Sequence, residues 1–88
     1  MKLNENFILR RVADTWVAVP VGAASRKFHG MLQLNESGVE LWHALEQGAD
    51  EKALVQLLCK EYAVAQEQAC ADVEAFLSKL RTAGCILD

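Results

Sequence analysis

The spacing of apolar residues changes once along this chain, at Leu34-Asn35, and this change restricts the available folds more than any other feature. Before it, the apolar runs are short, rich in β-branched and aromatic residues and separated by turn formers, as in strands. After it, they recur every three or four residues, as in amphipathic helices. Phe7 to Val12 and Trp16 to Val21, separated by Ala13-Asp14-Thr15, are predicted to form a β-hairpin. Pro20 has no N–H for a ladder and marks the end of the second strand. Residues 22–30 then read as a polar loop carrying Ser25, Arg26, Lys27 and His29. Met31, Leu32, Gln33 and Leu34 make a third, short strand, with Leu32 and Leu34 facing the core and Met31 and Gln33 facing away.

Asn35 is a good N-cap, Glu36 suits the positive end of a helix dipole, and Val39, Trp42 and Leu45 form one stripe, so a helix is predicted over 36–47. Gly48 closes it. Asp50 caps a second helix in which Leu54, Leu57, Leu58 and Tyr62 recur at helical spacing. A break at Ala63-Val64-Ala65 precedes a third and longest helix, with Ala69, Val73, Phe76, Leu77 and Leu80 on one face and Gly84 as its stop. Ala65 is a poor cap, and Cys85-Ile86-Leu87 suits a terminal strand or coil.

The fold class is therefore α+β, a three-stranded antiparallel meander followed by three helices whose apolar faces cover the sheet. At 88 residues and 52% hydrophobic, the chain suits a single packed domain spanning 1–88. The same element order serves a winged helix-turn-helix. No apolar stretch approaches a membrane span and the first residues lack a signal-peptide core, so a cytoplasmic protein is expected. Cys59, Cys70 and Cys85 are an odd number with no C-x-x-C pair, which signals neither disulfides nor zinc.

Chemistry has few candidates. His29 in the loop and His43 on a helix flank have no second ligand at matching spacing, and no thiol has a base beside it, so no catalytic residue, metal or cofactor is assigned. Trp16 and Trp42 read as packing anchors. Arg26-Lys27, next to the third strand, could steer an acidic peptide. The alternative function is DNA binding through the longest helix. The start of that helix, Gln66 to Glu74, carries three acids and no base, and the net charge of −3 adds to phosphate repulsion.

The run Leu9-Arg10-Arg11-Val12, then Val17 to Gly22, then Gly30-Met31-Leu32-Gln33-Leu34-Asn35-Glu36-Ser37-Gly38 with Trp42, resembles the PqqD family. Leu54, Leu57, Leu58, Tyr62, Asp72-Val73, Phe76-Leu77, Leu80 and Gly84 continue the resemblance over nearly the whole chain; Ala65 departs from it, where an Asp-like cap is usual. The resemblance implies a non-catalytic recognition element for ribosomally synthesised precursor peptides, which binds the leader and presents it to a modifying enzyme, often a radical S-adenosylmethionine protein. The leader would add as a strand beside Met31, Leu32, Gln33 and Leu34, with its apolar side chains against Val73, Phe76, Leu77 and Leu80. That helix face can equally be core. Exposed strand edges could also pair two copies as a homodimer.

Overall fold

The computed structural model describes residues 1–22, 24–27 and 31–87, apart from the side chains of residues 24 and 27; His29 lies outside them. The hairpin forms as β2 (Phe7–Val12) and β3 (Thr15–Pro20), paired antiparallel with Val12 opposite Thr15. Its loop is thus Ala13-Asp14, with Ala13 at φ 56, because a two-residue hairpin needs a positive φ to match the twist of its strands. β4 (Leu32–Leu34) pairs with β3 to give the sheet order β2-β3-β4, leaving β2 and β4 as edges. Met31 falls just outside β4 and is 68% exposed.

Three long helices follow: α2 (Glu36–Glu46), α3 (Glu51–Tyr62) and α4 (Gln66–Ala83). Asn35 Oδ1 accepts from the Gly38 N–H at 2.9 Å and Asp50 Oδ1 from the Ala53 N–H at 2.8 Å, so both expected caps hold orphan donors of a first turn. Ala65 makes no side-chain cap bond, as its methyl group requires. Leu34, Ala18, Trp42, Leu45, Leu54, Leu58, Val73, Leu77 and Leu80 meet in one core between the sheet and the helices. The meander-then-helices architecture is thus the α+β arrangement expected of a winged helix-like fold.

The structure adds two elements to those expected, a single-turn helix and a first strand, and of the two readings of the terminal segment it has the strand, β5 (Ile86–Leu87). Residues 24–27 of the polar loop form a single-turn helix, α1 (Ala24–Lys27), begun by the Ser25 hydroxyl donating to the Gly22 carbonyl at 2.7 Å. β1 (Lys2–Leu3) pairs antiparallel with β5 (Ile86–Leu87), and Asn4 extends that pairing. Its N–H donates to the Cys85 carbonyl at 2.7 Å and its Nδ2 to the Gly84 carbonyl at 3.1 Å. A two-residue strand such as β1 carries too little periodic pattern to be predicted from a sequence.

α3 ends on Ala63 at φ 51, a left-handed conformation that costs an L-residue about 1–2 kcal/mol and glycine almost nothing. Ala63→Gly should therefore stabilise the fold by about 0.5–1 kcal/mol after the loss of chain entropy is counted. In a thermal melt this is a rise of roughly 2–8 °C for a domain of this size. A fall in melting temperature would mean that the left-handed turn is not strained.

Candidate functional site

The pairing of β3 decides what the edge of β4 can do. Val21 donates to the Asn6 carbonyl at 2.7 Å, so the odd-numbered residues of β3 turn their amides toward β2. The even ones, Trp16 and Ala18, turn theirs toward Leu34 and Leu32 of β4. Gln33, between those two, therefore points its N–H and C=O away from β3, along the free edge. Pro20 obeys the same alternation: its missing donor would lie on the β4 side, beyond the end of β4, where no ladder bond is lost.

Beside this edge lies a cleft of about 950 Å³, walled by β4, the start of α2, the end of α3 and one side of α4. Leu34, Gly38, Leu41, Leu58 and Phe76 supply apolar lining. Gly38 matters for its shape, because a Cβ there would stand 3.4 Å from Phe76 Cε1 and 3.2 Å from the capping Asn35 Oδ1. The Phe76 ring thus lies close to α2 at this point, and a side chain at Gly38 would crowd the Asn35 cap first. Asn35 Oδ1 also accepts from the Ser37 hydroxyl at 3.0 Å, so the cap is held from two sides at the mouth of the cleft.

Of the eight residues proposed from the resemblance, the structure brings Gln33, Leu34 and Phe76 together on this cleft. Leu32 is half-buried on β4, and Met31 extends the chain at its start. Val73, Leu77 and Leu80 are at most 1% exposed and belong to the core behind Phe76. The stripe of α4 that faces the cleft is Asp72, Ala75, Phe76 and Lys79, rotated from the buried Ala69, Val73, Leu77 and Leu80 stripe. Sequence reasoning missed Ala75, Lys79 and the site role of Asp72. Their signal is the spacing of three, four and seven residues from Asp72, which places all four on one face with Phe76 in the middle.

Polar groups concentrate around Tyr62, which closes α3 and lines the cleft. Its hydroxyl donates to Glu40 Oε2 at 3.0 Å. Partial desolvation raises its pKa above the ordinary phenol value, and the bond to Glu40 with the charges of Glu40, Glu36 and Glu61 raises it further. Asp72 accepts from Gln68 Nε2 at 2.8 Å. Arg26 is exposed on α1 and does not line the cleft.

Elsewhere, burial pushes the Cys85 thiol up to about 11, which keeps it protonated and unreactive at neutral pH. His43 is exposed, with Nδ1 2.8 Å from Glu46 Oε1 on the same helix. Among the described residues no three His, Cys, Asp or Glu side chains are grouped to hold a metal ion. No helix among them is long and apolar enough to cross a membrane.

A strand edge bordering a cleft of mixed polar and apolar lining is the arrangement of a fold that can take an extended chain as an added strand. The chain belongs to the PqqD family: the family model described as coenzyme PQQ synthesis protein D matches residues 9–86. No curated protein matches the chain. Among solved structures, TbiB1 in complex with the TbiA(beta) leader peptide is 22% identical over 100% of both chains, with a TM-score of 0.78. Lasso peptide synthetase B1 complexed with the leader peptide is also 22% identical, covers 99% of this chain and 96% of its own, and has a TM-score of 0.78. At that identity the likeness establishes the shared fold.

Proposed function

We propose that this chain binds the leader segment of a ribosomally made precursor peptide and presents it to a separate peptide-modifying enzyme, a radical S-adenosylmethionine protein or one of another class, without turnover of its own. The leader adds as a strand along β4, and its alternate apolar side chains enter the cleft over Phe76. The observation that carries this reading is the outward-facing backbone of Gln33 opening beside that cleft. Met31, Leu32 and Leu34 complete the edge, and Val73, Leu77 and Leu80 fix the position of Phe76 from behind.

Family membership supports the reading, as do two structures of the same fold that are described as leader-peptide complexes. The DNA-binding alternative has no comparable support. The exposed start of α4 carries Glu67, Asp72 and Glu74, which repel phosphate.

The test is a titration of the isotope-labelled full chain with the short peptides encoded beside its gene, followed by amide chemical shifts. Shifts should concentrate on Gln33 and its neighbours in β4 and on the α4 stripe around Phe76. Shifts confined to β2 would overturn the assignment. Shifts at β4 that change on dilution without peptide would assign that edge to pairing between two copies.

A further inference from the structure

We infer that the face of the sheet turned away from the helices is a docking surface for the modifying enzyme, and that the enzyme's matching surface is acidic around an apolar centre. The inference rests on the presentation reading above and adds the place where the enzyme binds. The strand register sorts the side chains onto two faces. Phe7, Leu9, Trp16, Ala18, Leu32 and Leu34 turn toward the core. Ile8, Arg10 and Val12 of β2 therefore stand on the opposite face, beside Val17 and Val19 of β3.

In an antiparallel sheet with one packed face, the other is ordinarily polar. Here Val17 is buried on that second face although it takes no part in the main core, and Ile8 and Val12 are 41% and 55% exposed on either side of Arg10. Arg10 lies opposite Val17 and has no ion pair among the described residues. Apolar side chains set around an unpaired arginine are the composition that the buried centre of a protein interface favours.

Charge selects the occupant. Residues 7–34 hold a single acid, Asp14, which meets Arg11 at 4.0 Å, whereas acids outnumber bases between residues 36 and 83. Arg26, exposed on α1 where that helix packs against β3, adds to the basic side. The molecule is thus basic on its sheet and acidic on its helices. A second copy set sheet to sheet would bring like charges together, and one set sheet to helices would make a contact that does not close. A separate acidic surface meets neither obstacle. Gln33 pairs with Val17 and so shares this face, and a strand added beyond β4 would turn every second side chain onto it. An enzyme seated here lies next to the peptide without covering the cleft.

The experiment measures, by fluorescence anisotropy, the affinity of the labelled chain for the purified peptide-modifying enzyme encoded beside its gene, with the short peptides encoded there titrated in parallel. Arg10→Glu and the double variant Ile8→Ser, Val12→Ser should each bind the enzyme about tenfold more weakly, the factor corresponding to ~1.4 kcal/mol. Both should keep the peptide affinity of the wild type, which also shows that they are folded. Arg10→Glu should flatten the salt dependence of enzyme binding. Lys52→Glu, at an exposed position on α3 and with the same change of net charge, should bind the enzyme as the wild type does.

Variants that bind the enzyme as tightly as the wild type, or equal losses from Arg10→Glu and Lys52→Glu, would overturn the docking face and leave presentation standing. A wild-type chain that bound no enzyme would remove presentation itself, and the docking face with it. Concentration-dependent self-association abolished by Arg10→Glu would assign the face to a second copy instead.

Discussion

Trp42→Ala should destabilise the protein by about 3–5 kcal/mol, the usual range for truncating a fully buried aromatic side chain. Trp42 is 1% exposed and is the largest side chain fully enclosed by the core. A domain of this length has a total stability of order 5–15 kcal/mol, so this one change would remove a large fraction of it. Urea denaturation followed by circular dichroism measures the loss. Trp16→Ala is the control: its ring is only half-buried and stacks under the exposed Arg11 guanidinium, 5.8 Å from the ring centroid. Equal losses at the two positions would mean that the packing around Trp42 does not anchor the fold.

Gln33→Pro should weaken leader binding at least tenfold, or about 1.4 kcal/mol, while leaving the domain folded. The two halves of that expectation have one cause. Gln33 turns its backbone outward, so proline removes a donor from the free edge and none from the β3–β4 ladder. Proline also fixes φ and restricts Leu32, so some stability is lost, and circular dichroism must precede the binding measurement. Gln33→Ala keeps the donor and should bind nearly as the wild type does. If folded Gln33→Pro bound as tightly as Gln33→Ala, the edge would be unused, and contact with α4 alone would be the better account.

The strands, helices and caps were legible because each leaves its own mark. Asn35 and Asp50 stand where first turns need an acceptor, and Leu32 and Leu34 alternate as one sheet face requires. The cleft was less legible. Helical periodicity identifies the most apolar stripe of α4, which is the stripe the core claims through Val73, Leu77 and Leu80. The stripe beside it mixes Asp72, Ala75, Phe76 and Lys79, and such a mixture reads as an ordinary solvated flank until the neighbouring elements are placed. Ala63 was hidden for another reason. Glycine advertises a left-handed turn, whereas alanine gives no such signal, and both Ala13 and Ala63 adopt one here.

The β1–β5 pairing bears on how long the native state lasts. Asn4 and Gly84 are 80 residues apart, so the bonds from Asn4 to Gly84 and Cys85 close most of the described residues into one ring. Loop-closure entropy makes that ring on the order of 3 kcal/mol harder to close than a four-residue turn. A contact so distant in sequence, returning only two short strands and the Asn4 bonds, is expected to form after the sheet and helices have brought these segments together. It therefore belongs to the native side of the folding barrier. Weakening it would hasten unfolding and leave the folding rate nearly unchanged, so this clasp governs the lifetime of the folded chain rather than its route to the fold.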